Sequence, residues 1–178
     1  MSNQNILPWS KDYFLDWSDF RAESNPAVFE DAYSVIKYRF TWTLNSESFG
    51  SKISFSIKNV QLSPEFHRQL SWVRTSMATL KLLNHQQGHF DLAELLRDEI
   101  TKKIKDTIEN KLYPTRGQNE EQQKQFARED SGTMIAKELE KGEKYLSEKQ
   151  KEYDALTDYG QIESKQAEYD VVFSKLHR

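Results

Sequence analysis

LLNHQQGHFDLAELLRDEITKKIKDTIENKL, residues 82–112, decides the architecture. Leu92, Leu96, Ile100, Ile104, Ile108 and Leu112 recur every fourth position. That spacing gathers apolar side chains into one stripe on a helix, because residues four apart stack on the same face. The pattern predicts a long helix from about Ser76 to Leu112, stopped by Tyr113-Pro114 and Gly117. Stepping backward along the stripe from Leu92 and Ala93 lands on His89 and then His85. The two histidines therefore fall on the inward-facing side.

Upstream of this helix the period changes from four to two. Ile36, Tyr38, Phe40, Trp42 and Leu44 alternate with Lys37, Arg39, Thr41 and Thr43. Such alternation is the signature of a half-buried strand. A turn over Asn45–Ser51 carries Gly50, and alternation resumes at Ile53, Phe55 and Ile57, which reads as an antiparallel hairpin closed by Pro64. Residues 1–32 mix Trp9, Trp17 and Phe20 with turn formers, an irregular or short-strand entry. Downstream, the polar stretch 118–131 is either a loop or the first turns of the next helix. A second helix is expected from Gly132 to Leu156, weakened locally by Gly142. Asp158-Tyr159-Gly160 breaks it, and a last helix spans Gln161–Leu176. The expected fold class is α+β: one domain over 1–178, with a small N-terminal antiparallel sheet or hairpin (1–64) packed against long C-terminal helices (76–178).

Composition narrows the function. The chain has 178 residues with a net charge of −3, and no basic run suited to neutralising phosphates, so nucleic acid is not an expected partner. No apolar run reaches the ~18 residues that a membrane span needs. The opening MSNQNILPWSKDYF lacks the charged and apolar regions of a secretory signal, and the expectation is cytoplasmic. The absence of cysteine excludes disulfides and thiolate metal ligands. Long polar helices fit a monomer or a homodimer.

His85 and His89 are two of only four histidines. At i and i+4 two imidazoles can reach one zinc ion, and this is the ligand half of the His-Glu-x-x-His motif. The alternative is a pair of core histidines hydrogen-bonded within the fold. The position after the first histidine, where a metalloprotease keeps a glutamate as general base, holds Gln86. An amide cannot take a proton from a metal-bound water, and losing a general base typically removes ~10²–10⁴-fold in rate. Di-iron carboxylate chemistry is excluded, since Pro64, Leu82, Gln86 and Ser174 occupy the positions three before the histidines.

The segment LLNHQQGHFDLAE (82–94) resembles the signature of the DUF922 family of secreted zinc-dependent proteases, roughly LLxHExGHFDIAE. LDWSDF (15–20) is similar to that family's early L-x-W-x-D-F, Ser71-Trp72 to its Ser-Trp, and YDALTDYG (153–160) to its Y-D-x-x-T-x-H-G, followed by Gln166 and Tyr169. The resemblance covers most of the chain. It implies a zincin-like active-site helix, zinc on His85 and His89, and a third ligand at the position held here by Tyr159, with Asp158 and His67 as the other candidates. Both departures, Gln86 and Tyr159, fall on working residues. Glu94 is expected to make a supporting contact. The family is secreted, whereas this chain reads as intracellular.

Three functions follow as expectations. One is a zinc-binding, metalloprotease-like domain with little or no peptidase activity, acting on or binding a peptide or protein. Another is an active metallohydrolase with Asp91, Asp158 or Glu94 as base. The last is a metal-free binding or scaffold protein.

Overall fold

The computed structural model describes residues 4–178, so what was expected of residues 1–3 lies outside it. The architecture is α+β: antiparallel strands dominate the N-terminal part and long helices the C-terminal part. In chain order the strands are β1 (Ile6–Pro8), β2 (Ala32–Tyr33), β3 (Ile36–Phe49), β4 (Lys52–His67), β5 (Trp72–Val73) and β6 (Tyr113–Pro114). The helices are α1 (Leu80–Ile108), between β5 and β6, then α2 (Glu120–Thr157) and α3 (Glu163–Phe173). The contacts divide into two compact units. One holds the chain up to Arg39 with Ser63–Arg97 and Tyr145–Arg178; the other holds Phe40–Leu62 with Asp98–Lys144.

The β3–β4 hairpin forms where alternation predicted it, with Gly50 at its turn in the left-handed region (φ 64°). It runs further than expected. Pro64 does not close it: β4 continues to His67, and the Pro64 carbonyl accepts the Trp9 N–H at 2.9 Å. β1 pairs antiparallel with this far end, Ile6 opposite His67, and β6 pairs with the near end, Tyr113 opposite Phe55.

The first unit buries Leu7, Leu15, Phe20, Phe66 and Phe90 in one cluster, flanked by Trp9, Trp17, Ile36, Val73 and Leu83. Each fully buried large apolar side chain contributes about 1.5–3 kcal/mol. Polar clamps fix the irregular entry to this core. Asp19, fully buried, takes the Arg68 guanidinium, the Tyr13 hydroxyl (2.8 Å) and the Asp16 N–H (2.9 Å). Ser71 donates to the His67 carbonyl and accepts from the Val35 N–H, both at 2.9 Å. Asp91 Oδ1 gathers the Trp9 indole, the Gln87 amide and His177 Nε2 within 3.0 Å. The Asp19 carboxylate of LDWSDF and the Ser71 hydroxyl of the Ser-Trp pair are thus structural ties.

In the second unit Ile100, Ile104 and Ile108 of α1 are buried as the stripe predicted. Leu112 is not: the helix ends at Ile108, Asn110 turns left-handed (φ 60°), and Leu112 is 48% exposed. Residues 120–131 are helical from the start of α2, and Ser131 Oγ accepts the Trp42 indole N–H at 2.8 Å. Gly142 lies where a Cβ would come within 2.4 Å of Ile100 Cγ2, so its missing side chain lets α1 and α2 approach.

Candidate metal centre

The site is built in the first unit from the first turns of α1 and the last turns of α2. Thr79 starts α1, its hydroxyl accepting the Leu82 N–H at 3.1 Å. From His85 to Ala93 every residue is buried, which places both histidines inside as the stripe required. Their Nε2 atoms each lie 2.9 Å from the same oxygen, Oδ1 of Asp154. Asp154 sits one position after Tyr153, whose ring is fully buried and stacks on His85 at 4.5 Å with planes 15° apart, while meeting His89 edge-on at 5.1 Å. Close backbone approach makes this packing feasible. A Cβ on Gly88 would lie 2.0 Å from the Tyr153 hydroxyl, and one on Gly160 would lie 2.9 Å from His85 Cβ. Gly160 also adopts φ +83°, following Asp158 and Tyr159, themselves at 46° and 53°. Three successive left-handed residues form the break that the sequence predicted and turn the chain back over His85.

Burial would raise the Asp154 carboxyl, but the two imidazoles set against it outweigh burial and hold the group down to about 2. Burial lowers His89, offset in part by the Asp154 carboxylate. The Tyr153 phenol is pushed well above its ordinary value by burial and is locked neutral.

The donors of His85, His89 and Asp154 all fall within 4.8 Å of one another, and no second such group occurs among the described residues. Two imidazole nitrogens and one carboxylate oxygen match the three-ligand set of catalytic zinc sites, which keep a fourth position open. A tetrahedral ion ~2.0–2.1 Å from each donor needs donors ~3.3 Å apart, a few tenths of an ångström beyond the 2.9 Å contacts here. His89 and Asp154 line a cavity of about 310 Å³, together with Glu30, Ser34, Gln86, Lys151 and Tyr159. The residues fit a metal with one face turned to an open cavity lined by both polar and apolar groups.

Gln86 occupies the place a general base would hold. Its Oε1 accepts the Ser34 hydroxyl at 2.7 Å. Tyr159 borders the same cavity and packs edge-on against Phe29 at 5.2 Å. Its phenol is raised by burial and then by the charges of Asp154, Glu30 and Asp158, all of which favour the neutral form. Asp158 lines an adjoining recess of about 220 Å³ with Gln86 and Tyr159. His67 is on β4, with Nε2 buried and unpartnered, outside the three-donor group. Glu94 accepts from Arg97 with both oxygens at 3.0 Å, an ion pair three residues apart on α1. Asp154 went unnoticed in the sequence although it lies within YDALTDYG; a carboxylate beside a buried tyrosine at a helix end was the available signal. Comparison with protein-family models, with curated proteins and with solved structures returned no match.

Proposed function

We propose that this chain is a zinc-binding, metalloprotease-like domain with little or no peptidase activity, its ion held by His85, His89 and Asp154. The observation that carries this reading is the convergence of both Nε2 atoms on Asp154 Oδ1 at the wall of an open cavity. The ion would act as a Lewis acid there. The chain's own part is to orient three donors, present the Gln86 amide and the Tyr159 phenol to whatever enters, and supply Lys151 as the cavity's cation. Gln86 cannot accept a proton, which supports binding of a peptide or protein over its hydrolysis. Zinc is chosen over iron or copper by the DUF922 resemblance, since imidazole serves all three.

Metal content by mass spectrometry of untagged protein tests this reading, with His85→Ala as the control. About one zinc per wild-type chain, lost in the variant, is expected. No metal in either protein after incubation with zinc would overturn it and leave a metal-free binding domain.

A second reading, an active hydrolase with another base, is supported by one feature. Glu30 shares the cavity with His89 and Asp154, and its buried Oε2 has no partner. Asp91 and Glu94 are engaged elsewhere. Zinc-dependent hydrolysis abolished by Glu30→Gln would establish this reading.

A further inference from the structure

His85 is held from behind as well as from the front. Its Nδ1 lies 3.0 Å from Gln166 Oε1, on α3. The direction of this bond follows from what holds Gln166. The Gln166 amide nitrogen reaches Asp170 Oδ1 at 2.8 Å and the Tyr153 hydroxyl at 2.8 Å. Asp170 Oδ2 in turn accepts from Asn84 Nδ2 at 2.9 Å. An ionised carboxylate only accepts hydrogen bonds, so the group facing Asp170 must be the amide NH₂. Flipping Gln166 would set its carbonyl against that carboxylate, a pairing of two acceptors. The amide oxygen therefore faces His85, and the proton belongs on Nδ1. In a neutral ring Nε2 then bears the lone pair, directed at Asp154 Oδ1 2.9 Å away. Two lone pairs at that distance repel unless a proton or a metal ion lies between them.

We propose that Gln166, held by Asp170 and Asn84, is a positioning residue that fixes His85 as the Nδ1–H tautomer and so turns the Nε2 lone pair into the three-donor cluster. The inference rests on the zinc reading above and adds the device that prepares the site for an ion. Partners of this kind commonly change metal affinity ~10–100-fold when removed. Gln166 is itself buried, so the ring cannot borrow water in its place.

The test uses the full chain, with zinc titrated against a competing chelator dye, and compares wild type with Gln166→Leu. The expected result is a ~10–100-fold loss of zinc affinity in the variant. Gln166→Glu combined with Asp170→Asn inverts the polarity of the pair while keeping an acceptor on Nδ1, and should restore affinity. Unchanged affinity in Gln166→Leu, or no rescue by the double variant, would overturn the proposal. A general loss of packing would not move the second readout, the ¹⁵N shifts of the His85 ring in zinc-free protein. The proton should sit on Nδ1 in wild type and move to Nε2, toward Asp154, in Gln166→Leu. If wild type takes up no zinc, the zinc reading fails and the ring assignment alone decides: a bare Nδ1 in wild type would overturn the role given to Gln166. If Gln166→Leu does not fold, the double variant and the wild-type ring assignment carry the test.

Discussion

Gly88 and Tyr153 meet so closely that any β-carbon on the glycine would overlap the tyrosine hydroxyl, at 2.0 Å from the oxygen and 2.7 Å from Cζ. Tyr153 also stacks on His85, so one missing side chain on α1 seats both the ring and the histidine. In an exposed helix Gly→Ala gains about 1 kcal/mol. Here Gly88→Ala is expected to destabilise by about 1–3 kcal/mol through overpacking and to weaken zinc binding together with it. Thermal melting and zinc titration check this, and a raised Tm would mean that Tyr153 is not seated against α1.

Gly142→Ala separates packing from the metal. Its Cβ would lie 2.4 Å from Ile100 Cγ2, and Ile100 is buried. A loss of about 1–3 kcal/mol is expected in place of the usual helix gain. Zinc content should stay at the wild-type level. Denaturant unfolding with metal analysis on the same sample reads both quantities.

Asp154→Ala removes the one carboxylate among the three donors. Zinc affinity should drop by at least ~100-fold, since the loss of a ligand exceeds the ~10–100-fold typical of a supporting partner. Tyr159→Phe, which leaves the three donors in place, should change affinity far less. Equal losses in the two variants would identify Tyr159 as a ligand of the same rank.

Gln86→Glu restores an acceptor of protons at the cavity wall, with Ser34 positioned to donate to it. Peptide hydrolysis by the zinc-loaded variant should rise above wild type by a factor on the order of 10²–10⁴. A quenched-fluorescence peptide assay with and without chelator measures it. Equal rates in the two proteins would show that the amide at position 86 does not limit hydrolysis.

The α1 helix and the β3–β4 hairpin were legible because their cores repeat with a single period, four along one stripe and two across one face. The break at 158–160 was legible for a different reason: Asp158-Tyr159-Gly160 interrupts the helical pattern, and the structure finds all three residues left-handed. The start of α2 was not legible. Its inward positions there are Ala127 and Ser131, one small and one polar, and burial of Ser131 depends on an indole from Trp42 that no local pattern announces. Leu112 misled because it continued the four-residue count past the point where Asn110 leaves the helix. At the site, the i, i+4 histidines were visible from spacing alone. Asp154 and Gln166 come from segments 69 and 81 positions further along, and only tertiary packing brings them to His85.

That separation gives the donor set a mechanical meaning. An ion shared by His85 and Asp154 would close a loop of 69 positions, comparable in span to a long-range disulfide in a chain that has no cysteine. Cross-links of that span limit what the unfolded chain can explore, and the cost of closing them grows only slowly with length. Any ligand that favours the folded state adds to its stability in proportion to the logarithm of its concentration. For this domain, an ion at the site would therefore favour the folded chain the more, the richer its surroundings are in that ion.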